Sequence, residues 1–252
     1  MNATPKIRNH KITIAYDGSA FQGWQRQSSA PTVQLAIENA IKQCWPGEKI
    51  VLHGSGRTDT GVHASGQVAS FKAPTKFDLL TCLRALNNNL PQAVRILKIR
   101  YVPNSFHARF SAIGKEYLYK IYNHEIMPPL EINRYLHLPR LLDVNAMEMG
   151  ASYLIGTHDF ASYTSNPGYK RESTVRTIET IKFSKVGPRI HITFQGNGFL
   201  YRMVRNLVGA FVKVGHGRLD PVEIKKILEN KKRTKAPATA LPHGLYLHKV
   251  FY

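Results

Sequence analysis

Cysteine and acidic residues are both scarce in this sequence. Only two cysteines occur among 252 residues, Cys44 and Cys82, and their spacing is not that of metal ligands. We expect both to be buried thiols inside helices, in a reducing compartment, and we therefore place the protein in the cytoplasm. Sixteen Asp and Glu residues stand against 35 Lys and Arg, and the resulting formal net charge of +19 predicts a polyanionic partner.

Long apolar runs are absent too. No stretch approaches the roughly 20 apolar residues that a membrane-spanning helix needs, so nucleic acid is a better candidate for the polyanion than a membrane. Residues 1–8 have no apolar core, and we expect no signal peptide. The acidic partner that we expect is therefore RNA or DNA.

Motifs for nucleotides and metals are missing as well. The sequence has neither a phosphate-binding loop nor a dinucleotide fingerprint. Four histidines do not have the spacing of metal ligands, either with one another or with cysteine. A histidine in such a position more often serves packing or hydrogen bonding. The four are His63, His107, His158 and His243. We expect no metal and no nucleotide cofactor.

The first half of the sequence alternates strand and helix patterns. Period-two alternation predicts strands, whereas apolar residues repeating every three to four positions after Thr32 and after Asp78 predict two capped helices. The predicted strands cover residues 10–16, 49–53, 67–71 and 94–102. The order β-α-β-β-α-β is that of a split βαβ unit, an α+β fold with helices on one face of an antiparallel sheet.

The second half repeats this order of elements without repeating the sequence. The predicted strands are 115–122, 177–183, 189–194 and 245–252, and the predicted helices follow Asp143, cover 200–214 and follow Asp220-Pro221. Residues 123–142 contain three prolines and predict a long irregular connection. We divide the chain into an N-terminal lobe, 1–105, and a C-terminal lobe, 106–252.

Two basic segments interrupt the second half, residues 163–171 and 231–237. A charge run of this kind is either a solvated surface loop or a loop that contacts phosphate groups. The pattern leaves both interpretations open.

One carboxylate, Asp59, stands in a segment that otherwise holds mainly glycines, hydroxyls and bases, residues 54–64. Glycines on either side of it let the backbone turn sharply, and Arg57 lies two residues before it, where a cation would keep the carboxylate ionised. An Asp in a glycine-rich loop is more often a turn residue than a functional one. In a basic chain, however, an ionised Asp is also suited to act as a nucleophile.

The triplet Asp59-Thr60-Gly61 also matches that of aspartic proteases. Such an enzyme needs two carboxylates that share one proton, and no second triplet of this kind occurs in the sequence. We therefore set that class aside, and a hydrolase built on Asp59 with it.

Two other segments are candidates to act with Asp59. The strand at 115–122 interleaves tyrosines with lysines, a pattern that serves either packing or stacking on nucleobases. In the apolar helix at 200–214, Arg202 and Arg205 are three residues apart and would share one face. An arginine there needs an acidic partner, for which Asp59 is a candidate, or else it reaches solvent or phosphate.

Residues 56–64 resemble the signature of the TruA family of tRNA pseudouridine synthases. Further motifs that resemble the family follow in compatible order along the whole chain. They are residues 16–18, 23–25, 32–34, 85–87, 90–91, 106–112, 115–119, 199–205 and 244–247. Position 60 is Thr here, where the family pattern has Lys or Ala. Because this position varies, Thr60 does not weaken the resemblance.

The resemblance implies an enzyme that isomerises uridine to pseudouridine in the anticodon stem-loop of tRNA, at positions 38–40. It implies no cofactor, a homodimer, and two pseudo-symmetric split βαβ lobes with an active-site cleft between them. By position in the motifs, Asp59 matches the catalytic nucleophile, Tyr117 the active-site tyrosine and Arg205 its basic partner. Arg57 matches an arginine that holds the target nucleotide open.

The implied reaction breaks the N1–C1′ glycosidic bond, rotates the uracil and rejoins it through C5. Asp59 could add to C6 of the base or assist the loss of uracil at the sugar, and both openings need it ionised. Tyr117 could relay the C5 proton or stack on the uracil. Because the usual tyrosine pKa is about 10, we favour stacking. A non-catalytic tRNA-binding or RNA chaperone protein is the alternative, but it leaves Asp59 without a role.

Overall fold

The computed structural model describes residues 6–75, 77–166, 168, 173–233 and 236–252. Contacts group the chain into two units, one running to Ile113 and including Leu247–Tyr252, the other formed by Gly114–Tyr246. Residues 106–113 and the end of the chain thus group with the first unit, which differs from the division after residue 105. The cause is backbone pairing, since the Ile113 N–H donates to the Phe251 carbonyl at 3.0 Å.

The first unit has the predicted order of elements. These are β1 (Ile7–Tyr16), α1 (Val33–Cys44), β2 (His53–Gly54), β3 (His63–Pro74), α2 (Leu79–Asn88), β4 (Val94–Val102) and β10 (Leu245–Phe251), which begins at the end of the second unit. Strand β1 lies between β3 and β4 and runs antiparallel to both, and β10 borders β3 on its other side. The result is an antiparallel sheet with α1 packed against α2.

Two strand predictions in this unit need correction. The strand expected at 49–53 shrinks to β2, because in this segment only His53 and Gly54 pair, opposite Ser70 and Ala69 of β3. The strand expected at 67–71 is much longer, and it begins at His63. The last residues of the glycine-rich segment are therefore part of a strand, which fixes the direction in which that segment leaves the sheet.

Both helices of the first unit begin at the predicted caps. The Thr32 hydroxyl accepts the Leu35 N–H at 3.4 Å. The Asp78 carboxylate accepts the Leu80 and Thr81 N–H groups at 2.9 and 3.0 Å. Cys82 is buried in α2 and Cys44 is half-buried at the end of α1, and both are free thiols.

A histidine lies in the core of this unit. The His10 ring is fully buried, stacks on Phe71 at 4.9 Å between centroids, and meets Tyr101 at 5.0 Å and Trp45 at 5.9 Å. Neither ring nitrogen has a hydrogen-bond partner within the described ranges. Burial lowers the pKa of His10 from its usual 6.5, and the nearby backbone of Arg8 and Phe71 offsets this only in part.

The burial of His10 predicts a pH-dependent stability. Below pH 6.5 the unfolded chain binds a proton at His10 that the folded chain rejects, so the free energy of unfolding falls as the pH falls. His10→Phe removes this proton uptake and keeps a ring beside Phe71. Between about pH 8 and about pH 5, we expect the variant to gain about 1 to 2 kcal/mol relative to the wild type in urea unfolding. Identical pH dependence in both proteins would contradict the prediction.

The second unit contributes the strands β5 to β9. Its elements are β5 (Gly114–Tyr122), β6 (Leu136–His137), α3 (Val144–Ser152), β7 (Gly156–Asp159), β8 (Val175–Val186), β9 (Arg189–Gly196), α4 (Met203–Gly215) and α5 (Glu223–Asn230). The strands β5, β9, β8 and β7 are neighbours in that order and antiparallel, while the short β6 runs parallel to β5. Helix α3 packs against α4. The predicted α+β class is confirmed.

The predicted helix at 200–214 begins later than expected. Arg202 has φ of 58°, in the left-handed region, and α4 starts only at Met203. Arg202 is exposed and Arg205 is buried, so the two do not share a helix face as predicted. The guanidinium of Arg202 instead lies 4.9 Å from the ring centroid of Tyr201.

Candidate active site

Asp59 lies in a tight turn that leads into β3. Its carbonyl accepts the Val62 N–H at 3.1 Å, and Gly61 has φ of 76°, a left-handed conformation that glycine adopts without strain. The Asp59 side chain is half-buried. A turn of this kind holds a carboxylate in a fixed place while leaving it accessible to a substrate.

The segment after β1 clamps this turn. The Trp24 N–H donates to the Thr58 carbonyl at 3.1 Å, and the Tyr16 hydroxyl and the Thr58 hydroxyl are hydrogen-bonded at 2.8 Å. Gly23 has φ of 84°, and a Cβ there would lie 2.5 Å from the Thr58 carbonyl oxygen. The backbone on both sides of Asp59 is thus packed against a second loop, which limits its movement.

A buried glutamine fastens the start of the Asp59 segment to β3. Gln67 accepts the Ser55 hydroxyl at 2.6 Å and donates to the Gly56 carbonyl at 3.0 Å. The Ser55 N–H also donates to the Val68 carbonyl at 2.8 Å. Sequence reasoning missed Gln67. The available signal was a polar residue in the middle of an apolar strand.

A histidine fastens the other end. His63 is buried, and its Nδ1 lies 3.1 Å from the Gly18 nitrogen and 3.2 Å from an Asp17 carboxylate oxygen. Nδ1 can accept a hydrogen bond from the Gly18 N–H only when it carries no proton. It can donate a hydrogen bond to the Asp17 carboxylate only when it carries one. At Gly18, a Cβ would lie 2.0 Å from the Val62 carbonyl. Asp17 and Gly18, which lie in the motif at residues 16–18, therefore support the segment that carries Asp59.

Arg57 projects to the surface from the same segment. Its Nε donates to the Gln25 side chain at 3.1 Å, and Gln25 in turn donates to Gln34 at 2.9 Å. This chain of contacts orients an exposed guanidinium that was predicted to hold the target nucleotide.

In the second unit, Tyr117 and Tyr119 of β5 are both buried but make different contacts. Tyr117 lies on β5, with its ring edge-to-face with Phe199 at 5.2 Å. Tyr119, two residues on, is fully buried and its hydroxyl donates to the Leu241 carbonyl at 2.7 Å. Burial also raises the pKa of Tyr119. Packing is therefore the role of Tyr119, and base stacking remains an interpretation for Tyr117.

Arg205 lies in the first turn of α4, with 9% of its surface exposed. Its Nε donates to the Ala240 carbonyl at 2.8 Å, and the Ala240 N–H donates to the Arg205 carbonyl at 3.0 Å. One turn later, a Cβ at Gly209 would lie 2.0 Å from the Ala238 carbonyl. Residues 238–241 therefore lie directly along α4, and this segment also receives the Tyr119 hydroxyl.

One side chain of the basic segment 231–237, Arg233, has a role that differs from those predicted, whereas Lys231 and Lys232 are exposed. Arg233 donates to the carbonyls of Ala236 and Pro237 at 3.0 Å each and to the Asn206 side chain at 3.1 Å. Asn206 donates in turn to the Tyr163 carbonyl at 2.9 Å. Arg233 therefore holds this loop on α4 instead of facing solvent or phosphate. The neighbouring Thr234 and Lys235, and residues 167 and 169–171 of the other loop, lie outside the described residues.

The four predicted site residues are divided between the units. Asp59 and Arg57 belong to the first unit, and Tyr117 and Arg205 belong to the second. Their convergence on one uridine stays a prediction. Among the described residues, no group of three or more His, Cys, Asp or Glu side chains is placed to hold a metal. In the same ranges, no helix has both the length and the apolar character to cross a bilayer.

Comparison with known proteins gives the class. Residues 12–111 and 151–252 match the family model described as tRNA pseudouridine synthase. A tRNA pseudouridine synthase A of Methylacidiphilum infernorum is 49% identical over 246 residues, which covers 98% of this chain and 96% of the relative. Proteins of the same name from Thermoanaerobacter sp. and Bacillus pumilus are 44% and 42% identical, covering 98% and 96% of this chain and 100% and 98% of their own.

The chain therefore belongs to the tRNA pseudouridine synthase family. This confirms the resemblance predicted from the sequence motifs, and it makes the protein an isomerase that modifies tRNA.

Proposed function

We propose that this enzyme isomerises uridine to pseudouridine in the anticodon stem-loop of tRNA, at positions 38–40, with Asp59 as its nucleophile. The observation that carries the proposal is the Asp59 turn. A half-buried carboxylate stands in the family signature, and the backbone around it is fastened by Gln67, His63 and the Trp24 segment.

The chemistry needs a carboxylate that is ionised and accurately placed. Asp59 either adds to C6 of the uracil or acts at the sugar to release the base, and either opening begins from the anion. A rigid turn supports both, because holding a nucleophile close to its target removes much of the entropic cost of the reaction. The base then turns and rejoins through C5.

Arg205 and Tyr117 complete the proposed site. Arg205 is a buried cation oriented by the Ala240 carbonyl, and we assign it the role of keeping Asp59 ionised while water is excluded. Tyr117 stacks on the uracil, with its own ring held edge-on by Phe199. Arg57, exposed and oriented by Gln25, holds open the flipped nucleotide.

RNA binding follows from charge. A uridine stacked in a helix cannot reach Asp59, so the enzyme must flip it at a cost of about a few kcal/mol. Phosphate contacts made by a chain of net charge +19 offset that cost. We further propose a homodimer that works in the cytoplasm without a cofactor.

Release of tritium from C5-labelled uridine tests the activity, and pseudouridine mapping tests the position. Purified protein and an unmodified tRNA transcript should give tritium release, with pseudouridine confined to the anticodon arm. Transcripts with cytidine at the three proposed positions are the matched control and should release no tritium. Binding of tRNA without tritium release from any transcript would favour the non-catalytic RNA-binding alternative.

Substitution of Tyr117 separates its two possible roles. If Tyr117 stacks, Tyr117→Phe keeps the ring and should retain the single-turnover rate within about fivefold, whereas Tyr117→Leu should lose about 10- to 100-fold. If the hydroxyl relays the C5 proton, Tyr117→Phe should instead lose about 10²- to 10⁴-fold. We expect the first pattern. A Phe variant as slow as the Leu variant would overturn the stacking role.

A further inference from the structure

A second aromatic feature lies outside the proposed active site, on the turn that follows β4. The turn is held firmly by buried contacts. Asn9 donates to the carbonyls of Pro103 and Phe106 at 3.1 and 2.8 Å. The Ala108 N–H donates to the Ser70 hydroxyl at 3.1 Å, and the Ala108 carbonyl accepts the Tyr252 hydroxyl at 2.7 Å. The backbone of this turn is therefore fixed to β1, to β3 and to the end of the chain.

The rigid turn presents a row of three rings. Phe110 is 76% exposed, and its ring lies 4.4 Å from that of His107, with 33° between the planes. The His107 ring lies 4.6 Å from that of His53 on β2, with 40° between the planes. The Arg109 guanidinium lies 5.5 Å from the centre of the Phe110 ring. Phe110 is thus one end of a row of tilted rings whose other end is His53 on β2.

The middle ring of this row is held in one protonation state. Nδ1 of His107 accepts the backbone N–H groups of Arg109 and Phe110 at 3.1 and 3.3 Å, so the ring proton is on Nε2. Burial, together with the neighbouring His53 and Arg109, lowers the pKa of His107. A neutral imidazole beside a phenyl ring gives an uncharged flat surface, which suits stacking.

The exposure of Phe110 has no explanation in folding. A ring that remains 76% exposed contributes little hydrophobic free energy, yet the turn that carries it is held by Asn9, Ser70 and Tyr252. Exposed aromatic rings flanked by arginine are typical of surfaces that stack on nucleobases. His53 also directly precedes the segment 54–64, so the row begins beside the segment that carries Asp59.

We propose that Phe110, His107 and Arg109 form a stacking site for one unpaired nucleobase of the bound RNA, separate from the uridine that Asp59 modifies. This rests on the proposed function only in that the ligand is RNA. The aromatic faces accept any base, and Arg109 reaches the adjoining phosphate. The site contributes affinity and placement of the RNA and takes no part in the chemistry.

Loss of the ring tests the site by RNA binding. Phe110→Ala should raise the Kd for an unmodified tRNA transcript by about 5- to 150-fold. Phe110→Tyr keeps the ring, and its Kd should stay within about twofold of the wild-type value. Ile113→Ala is the matched control, because Ile113 is 70% exposed in the same unit but has no ring. Equal weakening by Phe110→Ala and Ile113→Ala, or no weakening by the former, would overturn the proposal.

A fluorescent ring reports the stacking directly. The native tryptophans, Trp24 and Trp45, are buried, so Phe110→Trp adds an exposed indole. Its emission should be quenched by the tRNA transcript and by single-stranded oligouridylate, but not by a blunt RNA duplex of equal length. Quenching by the duplex as well would overturn the assignment to an unpaired base. So would a sedimentation coefficient that falls in Phe110→Ala without RNA, since the ring would then contact a second copy of the chain.

Failure of this site and failure of the proposed function are distinguishable. An active wild type with Phe110→Ala equal to it in KM and kcat would remove the stacking site and leave the isomerase. If the wild type is inactive but Phe110→Ala binds RNA more weakly than the wild type, the stacking site stands and the isomerase does not. If both hold, Phe110→Ala raises KM and leaves kcat at saturating tRNA within about threefold, because ground-state and transition-state binding are lost equally.

Discussion

Asp59→Ala is expected to abolish pseudouridine formation while tRNA binding persists. A nucleophile has no substitute in its site, so the single-turnover rate should fall by at least about 10³-fold, or about 4 kcal/mol in the activation free energy. The turn should survive, because the Asp59 carbonyl that accepts the Val62 N–H remains. Affinity for tRNA should hold or rise slightly, since a negative charge leaves an RNA-binding surface.

The measurement is C5-tritium release with the enzyme in excess over tRNA. Asp59→Asn keeps the side-chain size and removes only the charge, and it should be as inactive as the alanine variant. Glu48→Ala removes an exposed acid from the same unit and controls for a change in net charge. Release at the wild-type rate by Asp59→Ala would exclude Asp59 as the nucleophile and, with it, the mechanism.

Arg205→Met is expected to have the second largest effect. Methionine suits the apolar α4, but the Ala240 carbonyl loses its side-chain donor, so we expect the free energy of unfolding to fall by only about 1 to 3 kcal/mol. If Arg205 stabilises the Asp59 anion as proposed, the single-turnover rate should fall by about 10²- to 10³-fold. A rate loss without a comparable stability loss separates the catalytic role from a structural one.

Lys213→Met is the matched control for Arg205→Met. It removes an exposed cation from the same helix and should keep the wild-type rate. If Arg205→Met and Lys213→Met both keep the wild-type rate, Arg205 has no part in the reaction.

Much of the fold follows from local pattern. Thr32 and Asp78 cap the helices that they were predicted to cap, and β4 spans the predicted residues, because capping and alternation are properties of a few neighbouring positions. The strand predicted at 49–53 was wrong because a strand also needs a partner, and only His53 and Gly54 have one. The sequence of a segment does not show whether a neighbouring strand will pair with it.

The candidate site divides in the same way. The motifs lead to Asp59, Arg57, Tyr117 and Arg205, and they include His63, but they omit Gln67 and do not show how the supporting residues act. Gln67 and His63 act through contacts with segments 11 and 45 positions away, and the local sequence does not show which partner such a side chain will meet. At Arg233 the local pattern gave a wrong expectation. A run of basic residues predicts side chains that face solvent or phosphate, but the Arg233 side chain donates to carbonyls of its own loop.

The place of the last strand has a consequence for the order of folding. Residues 247–252 belong to the unit that carries Asp59, with Phe251 accepting from Ile113 and Tyr252 anchoring the turn of Phe110. During synthesis the residues of the second unit, 114–246, are complete before the first unit has its border strand. In the usual order the N-terminal unit is complete first, whereas here the contacts of residues 247–252 can form only after the second unit has been synthesised. The segment that carries Asp59 therefore belongs to a unit whose last contacts form late in synthesis.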